Sequence, residues 1–73
     1  MNRNEACALV DDELGRALKK FPRHTTSAHH HYAVLLEEVD ELWDAVKTNN
    51  IPHAKKEAVQ VAAMAIRFLM EVE

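Results

Sequence analysis

The sequence predicts an all-α protein of three helices that assemble into an oligomeric bundle. Its 73 residues correspond to one small domain, and one Gly and two Pro are too few for a fold rich in loops or strands. Hydrophobic residues make up 48% of the chain, which is too many for a disordered segment. Three stretches with apolar residues at helical spacing account for nearly the whole chain.

The first helix is expected at about residues 5–20. Asn4 is a candidate N-cap, and Glu5 places negative charge in the first turn. A proline directly after this stretch ends the helix, because the residue before a proline is disfavoured in the α conformation. Cys7 is expected in the core, since nothing near it in sequence indicates a nucleophile. The apolar face contains Cys7, Val10, Leu14, Ala17, Leu18 and Phe21.

The second helix is expected at about residues 28–48, with Ser27 as its N-cap. On a wheel of about 100° per residue, a stripe centred on Val39 forms the predicted core face. Trp43 and Tyr32 in this stripe are expected to be core anchors rather than platforms for stacking a base. The other members are Leu35, Leu36, Leu42 and Val46. A separate flank combines acids with small apolar residues, and it contains His31, Val34, Glu38, Glu41 and Ala45.

The third helix is expected at about residues 53–72, after an Asn-Asn stop signal and with a proline near its start. From Ala58 to Met70 it is apolar almost all round, which is typical of a helix enclosed by others. Three helices cannot enclose it, because so small a domain buries only about 60% of its unfolded surface. We therefore expect a homodimer or homotetramer. One mostly polar line runs along this helix through Glu57, Gln60, Met64, Arg67 and Glu71.

The charge balance argues against nucleic acid as a partner, and no segment is suited to a membrane. Nine Lys or Arg and twelve Asp or Glu give a net charge of −3, without a basic block. The longest apolar run, residues 61–66, is far shorter than the roughly 20 residues that span a bilayer. The polar N-terminus and the single cysteine favour a protein without a signal peptide and a cytoplasmic location.

The residues most suggestive of chemistry are acids on the second and third helices. Glu38 and Glu41 form an E-x-x-E pair on the second helix. Glu57 and Gln60 form an E-x-x-Q pair on the third. Carboxylates at i and i+3 project to the same side of a helix and can hold one hard cation, and oxygen ligands select Mg²⁺ or Mn²⁺ over zinc or copper. Glu37 lies nearer the solvent side of the wheel and is a second-rank ligand.

These residues resemble the signature of the MazG-like nucleoside triphosphate pyrophosphatases, an all-α family. That signature is E-x-x-E on one helix and E-x-x-D on the next, matched by Glu38, Glu41 and Glu57. The surrounding stretches YAVLLEEVDELWDAV and KKEAVQVAAMAIRFL are also similar, so the resemblance covers roughly residues 28–69. It implies that the acids bind Mg²⁺, which binds the triphosphate of an NTP or dNTP. Water then attacks the α-phosphorus, releasing the monophosphate and pyrophosphate, with Glu38 and Glu41 as the catalytic residues.

Two features differ from that family. Gln60 stands at the acidic fourth position, where it can lend a carbonyl oxygen but brings no charge and cannot act as a base. Members usually add a further helix around the nucleotide, so either a partner subunit supplies this wall or the site is incomplete. The alternative hypothesis is a non-catalytic helical oligomer that keeps the scaffold as an interaction or regulatory protein. A third hypothesis is a small antitoxin-like helical partner.

Each candidate site residue also has a purely structural interpretation. The acids could form a solvated face that pairs with Lys55, Lys56 or Arg67. Gln60 either lines the site or is a hydrogen-bonding core amide. Arg67 either meets a phosphate through its guanidinium or forms an ion pair with an acid on the second helix or across a subunit interface. His31 is a candidate for the rim of the nucleotide site.

The histidine run could also be taken for a metal site. His29, His30 and His31 point about 100° apart on a helix, so they cannot converge on one ion. A transition-metal site would need His24 or His53 as well. The run is better interpreted as the start of the second helix.

Overall fold

The structure is a computed structural model that describes residues 1–22 and 25–73 and is all-helical over them. Helix α1 spans Arg3–Lys20, α2 spans Ala28–Lys47 and α3 spans Ile51–Glu71. The predicted three-helix class is therefore confirmed, with small shifts at the helix ends. None of the helices in the described part of the chain is long and apolar enough to cross a membrane.

Polar side chains cap the starts of α1 and α2. Asn2, not the predicted Asn4, caps α1, since its Oδ1 accepts a hydrogen bond from the Glu5 backbone N–H at 2.9 Å. The Glu5 side chain accepts in return from the Asn2 backbone N–H at 3.4 Å. This reciprocal capping box satisfies two backbone donors, which explains why the helix begins earlier than predicted. Ser27 caps α2 as predicted.

A tight turn at residues 48–50 reverses the chain between α2 and α3. Asn49 has a φ of 58°, in the left-handed region that asparagine tolerates better than most residues. Asn50 caps α3 through its side chain. Pro52 follows in the first turn, where its missing N–H removes no helical hydrogen bond. The two helices therefore lie antiparallel, side by side.

Helix α3 is the central element of the fold. Both α1 and α2 pack against it, and the described backbones of α1 and α2 do not approach each other. Ala63 of α3 is fully enclosed, and Glu57, Arg67 and Glu71 are 7%, 6% and 3% exposed. The polar line predicted along α3 thus faces inward, toward a groove between α1 and α2.

Helix α2 meets α3 through its small-residue flank rather than through the predicted core stripe. Ala45 and His31 are buried on this flank. In one chain the prediction that Trp43 and Tyr32 anchor the core is wrong, because α1 packs on α3 and leaves the stripe uncovered; each is 60% exposed. Cys7 is also exposed, which corrects the prediction of a core position. The exposed members of the α2 stripe are Tyr32, Leu36, Val39, Trp43 and Val46.

Candidate metal centre and adjoining groove

Three of the predicted acids meet between α2 and α3. Carboxylate oxygens of Glu38, Glu41 and Glu57 all lie within 4.8 Å of one another. Glu38 and Glu41 are one turn apart on α2, and the antiparallel arrangement places them opposite the first half of α3, which carries Glu57. We refer to these three residues as the acid cluster.

The acid cluster is partly buried and short of hydrogen-bond donors. Glu57 is buried, Glu38 is half-buried and Glu41 is exposed. The Oε2 atoms of Glu38 and Glu57 are both buried without a hydrogen-bond partner among the described residues. A buried acceptor left unpaired costs about 1–3 kcal/mol. A cation or a proton donor at this position would remove that cost.

Burial and mutual repulsion make two of the carboxyl groups hold their protons more tightly. Burial, followed by the charges of Glu41 and Glu57, raises the pKa of Glu38 from 4.5 to about 7. Burial and a hydrogen bond with Glu41 also raise the pKa of Glu57, against the opposing effect of His53 and Lys56. A cation that binds the cluster must therefore displace a proton near neutral pH.

The cations predicted to neutralise these acids do not pair with them. None of Lys55, Lys56 and Arg67 forms an ion pair with the acid cluster in the described part of the chain. The nearest partner is His53, whose Nε2 lies 3.4 Å from Glu57 Oε1. The structural interpretation of the acids as a solvated face paired with lysines or arginine therefore lacks its ion pairs.

The donor atoms of the acid cluster fit a hard divalent cation. With Mg–O distances of about 2.1 Å, octahedral ligands lie about 3 to 4.2 Å apart, so the cluster needs only a small contraction. Glu37, the second-rank candidate, is exposed and lies outside the cluster, and its charge contributes to the raised pKa of Glu38. Its role as a ligand stays a prediction.

A groove of about 410 Å³ opens beside the acid cluster, between α1 and α2 and above α3. Glu38 of the cluster lines this groove. The three predicted substrate-binding residues, Gln60, His31 and Arg67, line it as well. The structure thus places the predicted ligand-binding residues along one continuous surface.

The end of the groove farther from the acid cluster is closed by a buried ion pair. Arg67 Nε donates to Glu71 Oε2 at 2.6 Å. Its Nη1 donates to the Ala17 carbonyl oxygen at 3.4 Å, and its Nη2 donates to that of Phe21. Each guanidinium nitrogen therefore has an acceptor, and α1 is attached to α3 through carbonyls at its C-terminal end. The expected partner on the second helix or another subunit is corrected to Glu71 of the same helix.

His31 joins the same buried cluster. Its Nε2 lies 3.5 Å from Glu71 Oε1 and 3.3 Å from the carbonyl oxygen of Thr25. His31 is therefore buried although it lines the groove, and its role at the nucleotide site stays a prediction. Glu71 connects two predicted site residues although the sequence suggested no role for it. Its position one turn after Arg67, on the inward line of α3, was the signal that could have identified it.

Over the residues that the structure describes, the histidine run forms no group that could share a metal ion. Among the described residues, the side chains close enough to share a metal ion are the three glutamates. His29 and His30 are exposed, while His31 is buried. His24, which a histidine site would have recruited, lies outside the described residues.

Comparison with known proteins adds no relative. No protein-family profile, no curated protein and no solved structure matches the chain. The fold and the site therefore define the class: an all-α, three-helix protein with an acid cluster beside a groove.

Proposed function

We propose that the chain is a nucleoside triphosphate pyrophosphohydrolase of the MazG-like type, dependent on Mg²⁺ or Mn²⁺. The observation that supports this function is the convergence of Glu38, Glu41 and Glu57 from two helices, with two buried oxygens that lack a hydrogen-bond partner within residues 1–22 and 25–73. Three carboxylates held together without a cation form a site whose electrostatic energy falls when a divalent ion enters. The groove beside them offers space for a nucleotide.

The acid cluster would hold the metal, and the groove would hold the substrate. A metal ion bound there supplies neutralisation of charge on the phosphoryl oxygens and lowers the pKa of a bound water. Glu38 and Glu41 are the proposed catalytic residues, because a carboxylate that binds with one oxygen keeps a second to orient the attacking water. Gln60 would position the substrate by hydrogen bonding, since an amide cannot accept a proton from water.

We also propose that the working form is a homo-oligomer. The chain exposes 5371 Å². A folded monomer of its 8.3 kDa mass is expected to expose only about 4,600 Å². The excess includes the α2 stripe and an exposed part of α3, where Leu69 is 80% exposed beside Ile66 and Met70. A second copy covering these residues would complete the missing core.

The metal centre can be tested by isothermal titration of EDTA-treated protein with Mg²⁺ and Mn²⁺, with and without a non-hydrolysable dNTP analogue. Saturable binding is expected, at least about tenfold weaker in Glu38→Gln. Asp40→Asn is the matched control, because Asp40 is exposed on the same helix and lies outside the cluster. Binding that is absent, or equally weakened in both variants, would exclude the acid cluster as the site. Release of pyrophosphate from a panel of dNTPs then tests the reaction.

A non-catalytic helical oligomer is the second candidate. The exposed apolar surface of α2 and α3 favours it, since that surface serves assembly whether or not the chain binds nucleotide. Sedimentation and metal titration on the same sample separate the two functions. A stable oligomer that binds neither Mn²⁺ nor the dNTP analogue would support the scaffold over the enzyme.

A further inference from the structure

We infer that Arg16 and Lys20 of α1 form an anion-binding wall of the groove and receive the phosphate chain of a triphosphate ligand. This inference rests on the proposed metal centre, which would hold the same phosphate chain from the opposite side. It assigns the recognition of negative charge to the first helix.

The groove places these two cations on the same surface as Glu38 of the acid cluster. Arg16 and Lys20 line the same groove as Glu38 and Gln60. Because α1 and α2 approach α3 but not each other, the groove has α1 as one wall and α2 as the other. A ligand bound to the acid cluster and extending along the groove therefore passes the α1 side chains.

The distribution of hydrogen-bond donors favours α1 over Arg67. The guanidinium of Arg67 uses each of its nitrogens on Glu71 and on carbonyls at the end of α1. Arg16 uses only Nη2, which donates to the two Glu13 carboxylate oxygens at 2.7 and 3.0 Å. Its Nε and Nη1 donors have no acceptor among the described residues. Phosphate oxygens match such a planar fork of donors.

Lys20 adds a second cation, which no acid among the described residues neutralises. Its Nζ lies 5.3 Å from the centre of the Phe21 ring. No carboxylate in residues 1–22 or 25–73 pairs with it. The Arg16 side chain is 66% exposed and Lys20 is exposed too, so both charged groups are accessible to an anion that enters the groove. Together they supply the positive charge that a polyphosphate requires beyond its metal ion.

The test is a titration of Mn²⁺-loaded protein with inorganic tripolyphosphate. The variant is Arg16→Gln with Lys20→Gln, and the matched control is Arg3→Gln with Lys19→Gln, which removes the same charge from exposed positions of α1 outside the groove. We expect tripolyphosphate binding to weaken about tenfold in the groove variant and less than about twofold in the control. Glu13→Gln should tighten it, because it frees the Arg16 fork.

The possible outcomes separate this inference from the metal centre. Equal affinities in the groove variant and the control overturn the assignment to α1 while Mn²⁺ binding stays intact. Absence of Mn²⁺ binding in the unmodified protein overturns the metal centre and this inference with it. The groove variant should weaken binding of a non-hydrolysable dNTP analogue by the same factor as binding of tripolyphosphate, since the phosphate chain is common to both. If only the binding of inorganic tripolyphosphate is weakened, recognition of a nucleotide is contradicted. Circular dichroism confirms that each variant is folded.

Discussion

The α2–α3 helix pair carries two charged clusters, and they differ in how their charges are satisfied. In the acid cluster, Glu38 and Glu57 each leave a buried oxygen without a hydrogen-bond partner in the described part of the chain. Near the end of α3, Arg67 and Glu71 neutralise each other at 2.6 Å, and His31 lies beside them. Each cluster includes buried residues on the inward line of α3, Glu57 in the first and Arg67 and Glu71 in the second, so burial on that line does not distinguish them.

The difference between them separates a structural cluster from a candidate binding site. A buried ion pair with its hydrogen bonds complete holds helices in place and has little left to offer a ligand. Buried carboxyl oxygens without a donor are costly for the empty protein, and an entering cation recovers that cost as binding free energy. Polar satisfaction, more than burial, therefore indicates where a ligand would bind.

The largest effect is expected when Arg67 is removed from its cluster with Glu71 and His31. Arg67→Met removes the guanidinium from buried Glu71 and the donor from two carbonyls at the C-terminal end of α1. We expect a loss of about 3–5 kcal/mol in the free energy of unfolding, measured by urea denaturation at pH 7. If the variant does not fold, adding Glu71→Leu should restore folding, because a buried ion pair can be replaced by apolar residues. Arg16→Met is the control, with a loss of less than about 1 kcal/mol. A similar loss in both single variants would contradict the comparison.

The same kind of change in the acid cluster should act in the opposite direction. Glu57→Gln removes a buried charge that repels its neighbours, so the metal-free protein should be as stable as before or more stable. Its Mn²⁺ binding should weaken by about 2 kcal/mol, roughly thirtyfold in Kd. Calorimetric titration and urea denaturation on one preparation measure both quantities. Destabilisation comparable to that of Arg67→Met would show that the two clusters are equivalent.

The pH dependence of stability should reveal the raised pKa of Glu38. Its pKa in the folded protein is about 7, above the usual 4.5, so the folded chain binds more protons than the unfolded chain between these values. The stabilisation of the folded chain by Glu38 is therefore complete below about pH 4.5, and it is lost as the pH rises through 7. Because Glu38 is partly exposed, we expect about 1–2 kcal/mol of lost stability between pH 5 and 8 in metal-free protein.

The control for this pH effect is Glu38→Gln, which keeps every histidine and removes the carboxyl group. The difference between the two unfolding curves isolates the contribution of Glu38 from that of every other group. Saturating Mn²⁺ should also remove the loss at pH 8. Parallel stability profiles for the variant and the unmodified protein would contradict a raised pKa.

The smallest expected effect comes from adding a carboxylate to the acid cluster. Gln60 is half-buried and lines the groove with Glu38. Gln60→Asp should tighten Mn²⁺ binding by about fivefold and slightly destabilise the metal-free protein. Gln60→Asn controls for side-chain length without adding charge. If neither variant binds Mn²⁺ more tightly than the unmodified protein, the result would favour the non-catalytic scaffold.

Local sequence signals predicted the helices and the inward line of α3. Helical periodicity alone is enough to place Glu57 and Arg67 on one line. A spacing of one turn is likewise enough to place Glu38 and Glu41 on the same side of α2. The start of α1 was mispredicted because Asn2 and Asn4 are both good caps. Only the interaction with Glu5, three residues after Asn2, selects between them.

The face of α2 that meets α3 could not be read from the sequence. A wheel shows both the large apolar stripe and the small-residue flank, and the larger stripe has more area to bury. The structure buries the flank because Ala45 permits a close approach of the two helices, while Trp43 stays at the surface. The choice depends on helix packing geometry, which lies beyond periodicity.

Over the described residues, helix α1 packs against α3 and not against α2, and this arrangement has a consequence for the order of folding. Arg67 reaches carbonyls that lie 46 and 50 residues away along the chain, whereas α2 and α3 are joined by a tight turn. Closing a short loop loses less chain entropy, so the α2–α3 hairpin is expected to form first and α1 to dock afterwards. The amide protons of α1 should then exchange with solvent faster than those of α3, and the groove forms only in this last step.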